Sequence, residues 1–253
     1  MTALVTYKKI LDLYTSKQAG RKALLPVKNL LPLVPSERLA GIVGDLFSDG
    51  HLQGPNKWRL DFTSASLLEL KRFEKEFYLQ FGVKGKVRPC VTNKFGTTYN
   101  YGINNKPLSR ILFLYGVPVG NKVLQPTKIP QWILSNAILF KRFIQRVLDC
   151  EGCVDTSDKS IVLTVTKSTN FLEENTRFLN DIKEKLYTYY NITTTNPFLL
   201  NKINVRKNGI KTQEMRLKIK RQESIIKFHK CMKFETKSKQ EKLDKIANIV
   251  MGR

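Results

Sequence analysis

Apolar residues recur along this chain with two periods, and the periods alternate in a fixed order. A helical stripe, Leu67, Leu70, Phe73, Phe77 and Phe81, follows a Ser66/Glu69 capping box. Before it, Lys57 to Thr63 alternates: Trp58, Leu60 and Phe62 point one way, and Arg59, Asp61 and Thr63 the other. That is the pattern of a half-buried strand, joined to the residues after Gly50 through a Gly54-Pro55-Asn56 turn. Lys86 to Thr92 and Thr97 to Asn104 read as a second hairpin around Asn93-Lys94-Phe95-Gly96, with a helix near Leu108 to Tyr115. The order then repeats. Ile161 to Thr166 reads as a strand, and an Asn170/Glu173 capping box precedes the stripe Leu172, Leu179, Ile182, Leu186 and Tyr189. Phe198 to Arg206 and Lys211 to Lys220 flank Asn208-Gly209, a strong hairpin signal. In the last strand Met215, Leu217 and Ile219 face in, while Arg216, Lys218 and Lys220 face out. Helices at Glu223 to Met232 and Lys237 to Val250 finish the chain.

Each round opens with a similar stretch. The first is Ile42-Val43-Gly44-Asp45-Leu46-Phe47-Ser48-Asp49-Gly50, and the second is Ile144-Gln145-Arg146-Val147-Leu148-Asp149-Cys150-Glu151-Gly152. Both are mostly apolar runs that end in an acid and a glycine, with the acids 102 residues apart. Such a spacing is too long for a solenoid and fits a duplicated domain. Ser36 is placed to cap the first of these helices, and Ser135 the second, over Asn136 to Asp149. The predicted division is a basic extension over 1–35, a first half over 36–120, a linker over 121–129 and a second half over 130–253. The extension would carry one helix from Ala3 to Tyr14, with Lys17, Arg21, Lys22 and Lys28 solvated or touching phosphate.

Glycine after a helix is usually a simple stop, since it takes the left-handed conformation without steric cost. The acid is harder to explain. A helix C-terminus carries partial negative charge, and two such acids brought together repel each other. A divalent cation relieves both problems, because hard ions such as Mg²⁺ favour carboxylate oxygens. Close packing of the two helices would need small residues at the contact. Gly44, Ser48 and Cys150 supply them, while Arg146 stands where another is expected.

Charge narrows the partner. The chain has 253 residues with 44 Lys+Arg against 21 Asp+Glu, a net charge of +23. That excess implies a polyanion, most simply nucleic acid. The longest apolar stretch, Leu24 to Val34, is broken by Lys28 and two prolines and cannot span a bilayer, so no membrane partner is expected. Met1 to Lys9 lacks the apolar core of a secretory signal, which predicts an intracellular protein, with cytoplasm and organelle both open. Cys150 and Cys153 form C-x-x-C without a second pair. With Cys90 and Cys231 isolated, the cysteines read as small buried residues rather than zinc ligands. Strand faces rich in Arg, Lys, Asn and Gln suit the major groove. The candidates are Arg59, Lys86, Arg88, Asn100 and Asn104 in the first half. Those of the second half are Lys202, Asn204, Arg206, Gln213, Arg216 and Lys218.

The two acid-glycine stretches resemble the LAGLIDADG motif. Leu39-Ala40-Gly41 stands before the first copy, and Ile129-Pro130-Gln131-Trp132-Ile133-Leu134 and Phe143-Ile144 stand before the second. From Ser36 to Val250 the chain resembles a monomeric, two-motif LAGLIDADG homing endonuclease. The resemblance implies an α+β fold of two pseudo-symmetric αββαββα halves. Their antiparallel sheets would be saddle-shaped, with the motif helices packed at the centre. It also implies that Asp49 and Glu151, with the backbone of Gly50 and Gly152 nearby, hold Mg²⁺ or another divalent cation such as Mn²⁺ or Ca²⁺. Lys122 and Lys239 resemble the basic residues that the family places near each scissile phosphate. The implied activity is a site-specific double-strand break in a long asymmetric DNA target, by a protein either intron-encoded or free-standing. The main alternative is an intron RNA-splicing cofactor (a maturase) of the same fold. A noncatalytic DNA-binding regulator should have lost an acid or gained a second recognition domain. An intein is not expected, with Met1 at the start and Gly252-Arg253 at the end.

Overall fold

A computed structural model describes residues 5–55, 57–90 and 97–252. The expected turns at Asn56 and at Asn93 to Gly96, and the start of the expected first helix at Ala3 and Leu4, lie outside the described residues. The chain is α+β and divides into two compact units, Met1–Gly120 and Asn121–Arg253.

In the first unit, α1 (Tyr7–Leu11), α2 (Lys17–Leu24) and a 3-10 turn (Leu25–Leu30) precede the repeat. Ser16 caps α2 by accepting a hydrogen bond from the Ala19 amide. The expected basic residues Lys17, Arg21, Lys22 and Lys28 are exposed, and the first three stand on this helix, which was not expected. Its residues Gly20 and Leu24 are buried, as are Val5, Ile10, Val27 and Leu33, so the extension packs into this unit's core. The Tyr115 hydroxyl ties it down by donating to the Leu33 carbonyl. The repeat follows as α3 (Glu37–Phe47), β1 (Gly50–Leu52), β2 (Leu60–Ser64), α4 (Leu67–Phe81), β3 (Lys86–Pro89), β4 (Tyr99–Ile103) and α5 (Lys106–Leu114). Ser36 caps α3 through the Leu39 amide at 3.1 Å. At α4 only half of the expected capping box forms. Ser66 accepts from the Glu69 amide, but the Glu69 carboxylate turns to Arg72 Nε at 3.0 Å.

The second unit has a short α6 (Gln131–Leu134), then α7 (Ala137–Glu151), β5 (Gly152–Asp155), β6 (Ser160–Ser168), α8 (Leu172–Tyr190), β7 (Phe198–Val205), β8 (Lys211–Ile219), α9 (Gln222–Cys231) and α10 (Lys237–Val250). Two caps differ from expectation. Asn136, not Ser135, caps α7, its Oδ1 accepting from the Ile138 and Leu139 amides, while Ser135 closes α6. No side chain caps α8. A 3-10 turn at Thr169–Phe171 occupies the place of the Asn170/Glu173 box, and Ser168 Oγ accepts from the Asn170 amide.

Both sheets are antiparallel and have the same connectivity, β1-β2-β4-β3 and β5-β6-β8-β7. Register fixes which side chains share a face, because neighbours along a strand alternate and paired residues point together. In the first sheet Leu60, Phe62, Tyr101 and Ile103 form the covered face, with Phe62 stacked on Phe73 of α4 at 4.4 Å. In the second, Ile161, Leu163, Leu217 and Ile219 lie under Ile144 and Leu148 of α7 and Ile182 and Leu186 of α8. Trp58, expected in strand alternation, sits before β2 at φ 47° and packs on Phe113 and Arg110 instead.

Each motif helix buries charge and balances it within its own unit. Asp45 of α3 is fully buried and is held by both terminal nitrogens of Arg72 from α4, at 2.8 and 3.0 Å. In α7 the buried Arg146 donates to Asp149 Oδ2 and to Glu235 Oε2, both at 2.8 Å. This pairing is why an arginine is accommodated where a small residue was expected. A buried ion pair broken on one side is strongly destabilising, whereas its replacement by apolar groups is often tolerated. Arg72→Met is therefore expected to lower unfolding free energy by about 3–5 kcal/mol in urea denaturation, and Asp45→Leu/Arg72→Met to recover most of that loss. An additive double variant would show that the pair is not coupled.

Candidate active site and nucleic-acid face

The two acids occupy the same place in their units. Asp49 lies in the turn between α3 and β1, and Glu151 is the last residue of α7 before β5; both are exposed. Gly50 and Gly152 each open the first strand of a sheet. Neither glycine is left-handed: Gly152 has φ −84°, and Gly50 is absent from the positive-φ residues. Gly152 still ends its helix as the C-cap of α7, so the left-handed explanation of the stop is corrected and the stop itself is not. What the turns require is proximity. A Cβ built on Gly50 would lie 2.5 Å from Leu46 Cα, and one on Gly152 would collide with the Leu148 carbonyl oxygen. In both cases the strand leaves the helix by pressing on the residue four positions back. The residue just before the glycine is exposed in both units.

The helix-end charge in the second unit already has a counterion. Lys239, in the first turn of α10, donates from Nζ to the carbonyls of Leu148, Asp149 and Cys150 at 3.3, 2.6 and 3.4 Å. Its ammonium thus offsets the negative end of α7 beside Glu151. Asp149 anchors the approach of α10, since its carboxylate accepts from the Glu235 and Thr236 amides at 3.1 to 3.2 Å. Burial pushes its carboxyl group above the usual range, against the pull of Arg146 and those amides. Lys122 begins a 3-10 turn, Lys122–Leu124, capped by Asn121. Beside it lies a residue that the sequence reading missed. Lys167 of β6 is 3% exposed, and its Nζ donates to the Lys122 carbonyl, the Gln125 carbonyl and Thr127 Oγ1. Burial and the nearby Lys122 charge push it down to about 8, while Glu151 pulls it up. The sign in the sequence was a lysine in the covered-face register after Ile161, Leu163 and Val165.

Opposite the covered faces lie the candidate reading faces. In the first sheet one row runs from Asp49, whose carbonyl accepts from the Thr63 amide, through Thr63, Asn100 and Arg88. Asn100 Nδ2 donates to Thr63 Oγ1 at 3.2 Å, and its Oδ1 is buried with no partner among the described residues. Lys86 shares this face, and Asn104 is exposed beyond β4. Arg59 is paired to Asp61 at 2.8 Å. In the second sheet Gly152 pairs with Leu163, so the next row leads from Glu151 through Thr164, Arg216 and Phe198. Arg216 meets Glu214 at 3.7 Å through a terminal nitrogen, while its Nε has no partner among the described residues. Asn204 pairs with Thr212 on the same face, and Lys202 and Arg206 are exposed. Lys218 is held by Asp158 at 2.9 Å, which holds Lys220 as well. Gln213 is a correction. It pairs with Lys167 in the covered-face register, and its amide donates to the Leu200 carbonyl at 2.7 Å.

No protein-family model matches the chain. It is 27% identical over 224 residues to a tRNA-splicing ligase RtcB of Methanopyrus kandleri, covering 81% of this chain and 22% of that protein. It is 28% identical over 122 residues to a replication factor C small subunit of Methanocaldococcus jannaschii, covering 45% of this chain and 6% of that protein. The chain thus spans less than a quarter of the length of either relative. Among solved structures, the homing endonuclease I-WcaI bound to its DNA recognition sequence superposes with a TM-score of 0.56 at 13% identity, covering 94% of this chain and 98% of that one. The chain has the two-half LAGLIDADG fold. Within that LAGLIDADG frame the acid-bearing turns have no room for a Cβ at their glycines, and they allow a direct check. Gly50→Ala and Gly152→Ala should each lower stability by about 1–3 kcal/mol in urea denaturation, the usual cost of forcing atoms into packed space. Losses below about 0.5 kcal/mol would mean that the turns tolerate a side chain.

Proposed function

We propose that the protein is a site-specific DNA endonuclease that hydrolyses phosphodiester bonds with the help of divalent metal. The observation that carries this reading is the repeated turn. In each unit an exposed acid stands at the end of the motif helix, in line with a row on the open face of the sheet that carries Thr63, Asn100 and Arg88 in one unit and Thr164 and Arg216 in the other. The I-WcaI likeness supports DNA as the partner, since that protein is described on its DNA recognition sequence.

The donor set suits a hard cation. Each unit brings one exposed acid to the turn after its motif helix, Asp49 in the first and Glu151 in the second. Magnesium is commonly held by one or two carboxylates together with water and substrate phosphate. Asp49 and Glu151 would hold the metal, with the backbone of Gly50 and Gly152 nearby; when bound, it would activate water and stabilise the leaving oxygen. The remaining roles belong to the protein. Lys239 offsets the negative helix end beneath Glu151 through its contacts with the last carbonyls of α7. Lys122 supplies positive charge on the Glu151 side, where a phosphate would come. Asn100, Arg88 and Lys86 would read or grip the duplex in one half. Arg216, Asn204, Lys202 and Arg206 would do so in the other, with Arg and Asn suited to guanine and adenine edges. Arg59 and Lys218 are already paired with acids and belong to the phosphate-gripping margin, as does exposed Asn104.

Asp49→Asn and Glu151→Gln are each expected to reduce Mg²⁺-dependent cleavage by about 100-fold or more while leaving the dissociation constant for DNA nearly unchanged. The assay uses duplex DNA recovered by selection from a randomised library. Wild-type cleavage rates in either variant would refute the assignment. An RNA-splicing cofactor would keep the basic faces without needing the acids, so splicing that survives both substitutions, with no DNA cleavage by wild type, would favour that rival. Binding should also weaken steeply with salt, each phosphate contact adding about −0.9 to the slope of log K against log salt. A flat salt dependence would exclude contacts that follow the DNA backbone.

A further inference from the structure

We propose that Lys167 is a positioning residue: its buried ammonium clamps the 122–127 segment to β6 and thereby holds Lys122 on the Glu151 side of the second unit. This rests on the nuclease reading above and adds to it a residue with no direct contact to substrate.

The argument begins with donor counting. A lysine ammonium has three N–H donors and no acceptor. Three acceptors face that of Lys167, namely the carbonyls of Lys122 and Gln125 and the hydroxyl of Thr127. They span six consecutive positions, so one side chain pins the whole segment from within. Lys167 is 3% exposed, which leaves no donor to reach an incoming phosphate. A role as phosphate ligand or proton carrier is therefore unsuited to it, whereas a role as a fastener is not. Its place in the sheet agrees. Lys167 ends the covered-face series Ile161, Leu163, Val165, where an apolar residue would be cheaper to bury. A charge kept there needs the segment's oxygens. The segment in turn has little regular structure of its own, a single short 3-10 turn at Lys122–Leu124. Gly152 pairs with Leu163, so Glu151 stands in the row of Thr164, three residues before Lys167 on the same strand, and β6 joins the clamp to the acid.

The test separates the clamp from the reaction. In wild type, Lys167→Met and Lys167→Arg, hydrogen exchange at the Val123, Leu124 and Gln125 amides is read on the free protein. Single-turnover cleavage and DNA affinity are read on the selected duplex, with Lys122→Met and Lys122→Met/Lys167→Met beside them. Methionine has a similar length without charge and is compatible with the buried site. Lys167→Met is expected to speed exchange of the three amides by about tenfold or more. Cleavage should fall by about 100-fold, as for a small misplacement of a catalytic group, with affinity within about twofold. The double variant should be no slower than Lys122→Met alone, and Lys167→Arg should recover part of both losses. Unchanged exchange in Lys167→Met would overturn the clamp. Faster exchange with full cleavage, or losses that multiply in the double variant, would overturn its link to Lys122. Should wild type cut no duplex, the nuclease reading fails, and the exchange measurement still decides whether Lys167 holds the segment.

Discussion

The turn from motif helix to first strand has no room for a side chain, and the rest of each unit follows from that. Gly50 presses on Leu46 and Gly152 on Leu148, so the strand departs with its backbone against the last helical turn. The residue before the glycine is exposed, and in both units that residue is an acid. The same contact sets the register of the sheet. Gly50 pairs with Phe62 and Gly152 with Leu163, which puts the next row of the open face in line with the acid. One steric demand thus fixes a carboxylate and the side chains beside it.

The two units solve the accompanying electrostatic problem differently. In α3 a buried aspartate is matched by a bidentate arginine from α4. In α7 the arginine is on the helix itself, and its partners Asp149 and Glu235 draw in the start of α10. That approach carries Lys239 onto the last carbonyls of α7. The second acid therefore stands on a helix end whose charge is already offset, and the packing of a terminal helix becomes part of the site.

Much of this was legible in the sequence. The alternation of periods gave both sheets and the αββαββα order, and of the predicted stripe, Leu70, Phe73, Phe77 and Phe81 form the buried face of α4 while Leu67 is exposed. α10 has the expected bounds. Errors arose where two local solutions compete. Ser135 and Asn136 can both cap a helix, and the short α6 took the serine. Asn170 and Glu173 spell a capping box, but a 3-10 turn formed there. Trp58 fits strand alternation, yet its ring is better buried beside Phe113 and Arg110. Gln213 looked outward by composition and faces inward by register. The basic run from Lys17 to Lys28 concealed α2 because its charges outnumber the few residues, such as Leu24, that anchor it. Lys167 was missed for a related reason: its acceptors are backbone and hydroxyl oxygens at positions 122 to 127, and no pattern in side-chain types announces carbonyls that converge in space.

The central claim is that the exposed acids are metal ligands. It is tested most directly by a crystal of the protein on its selected duplex, grown with Mn²⁺ and measured at the manganese absorption edge. The account predicts anomalous peaks at about 2.0–2.4 Å from carboxylate oxygens of Asp49 and Glu151. Peaks confined to other residues, with both carboxylates unliganded, would contradict it.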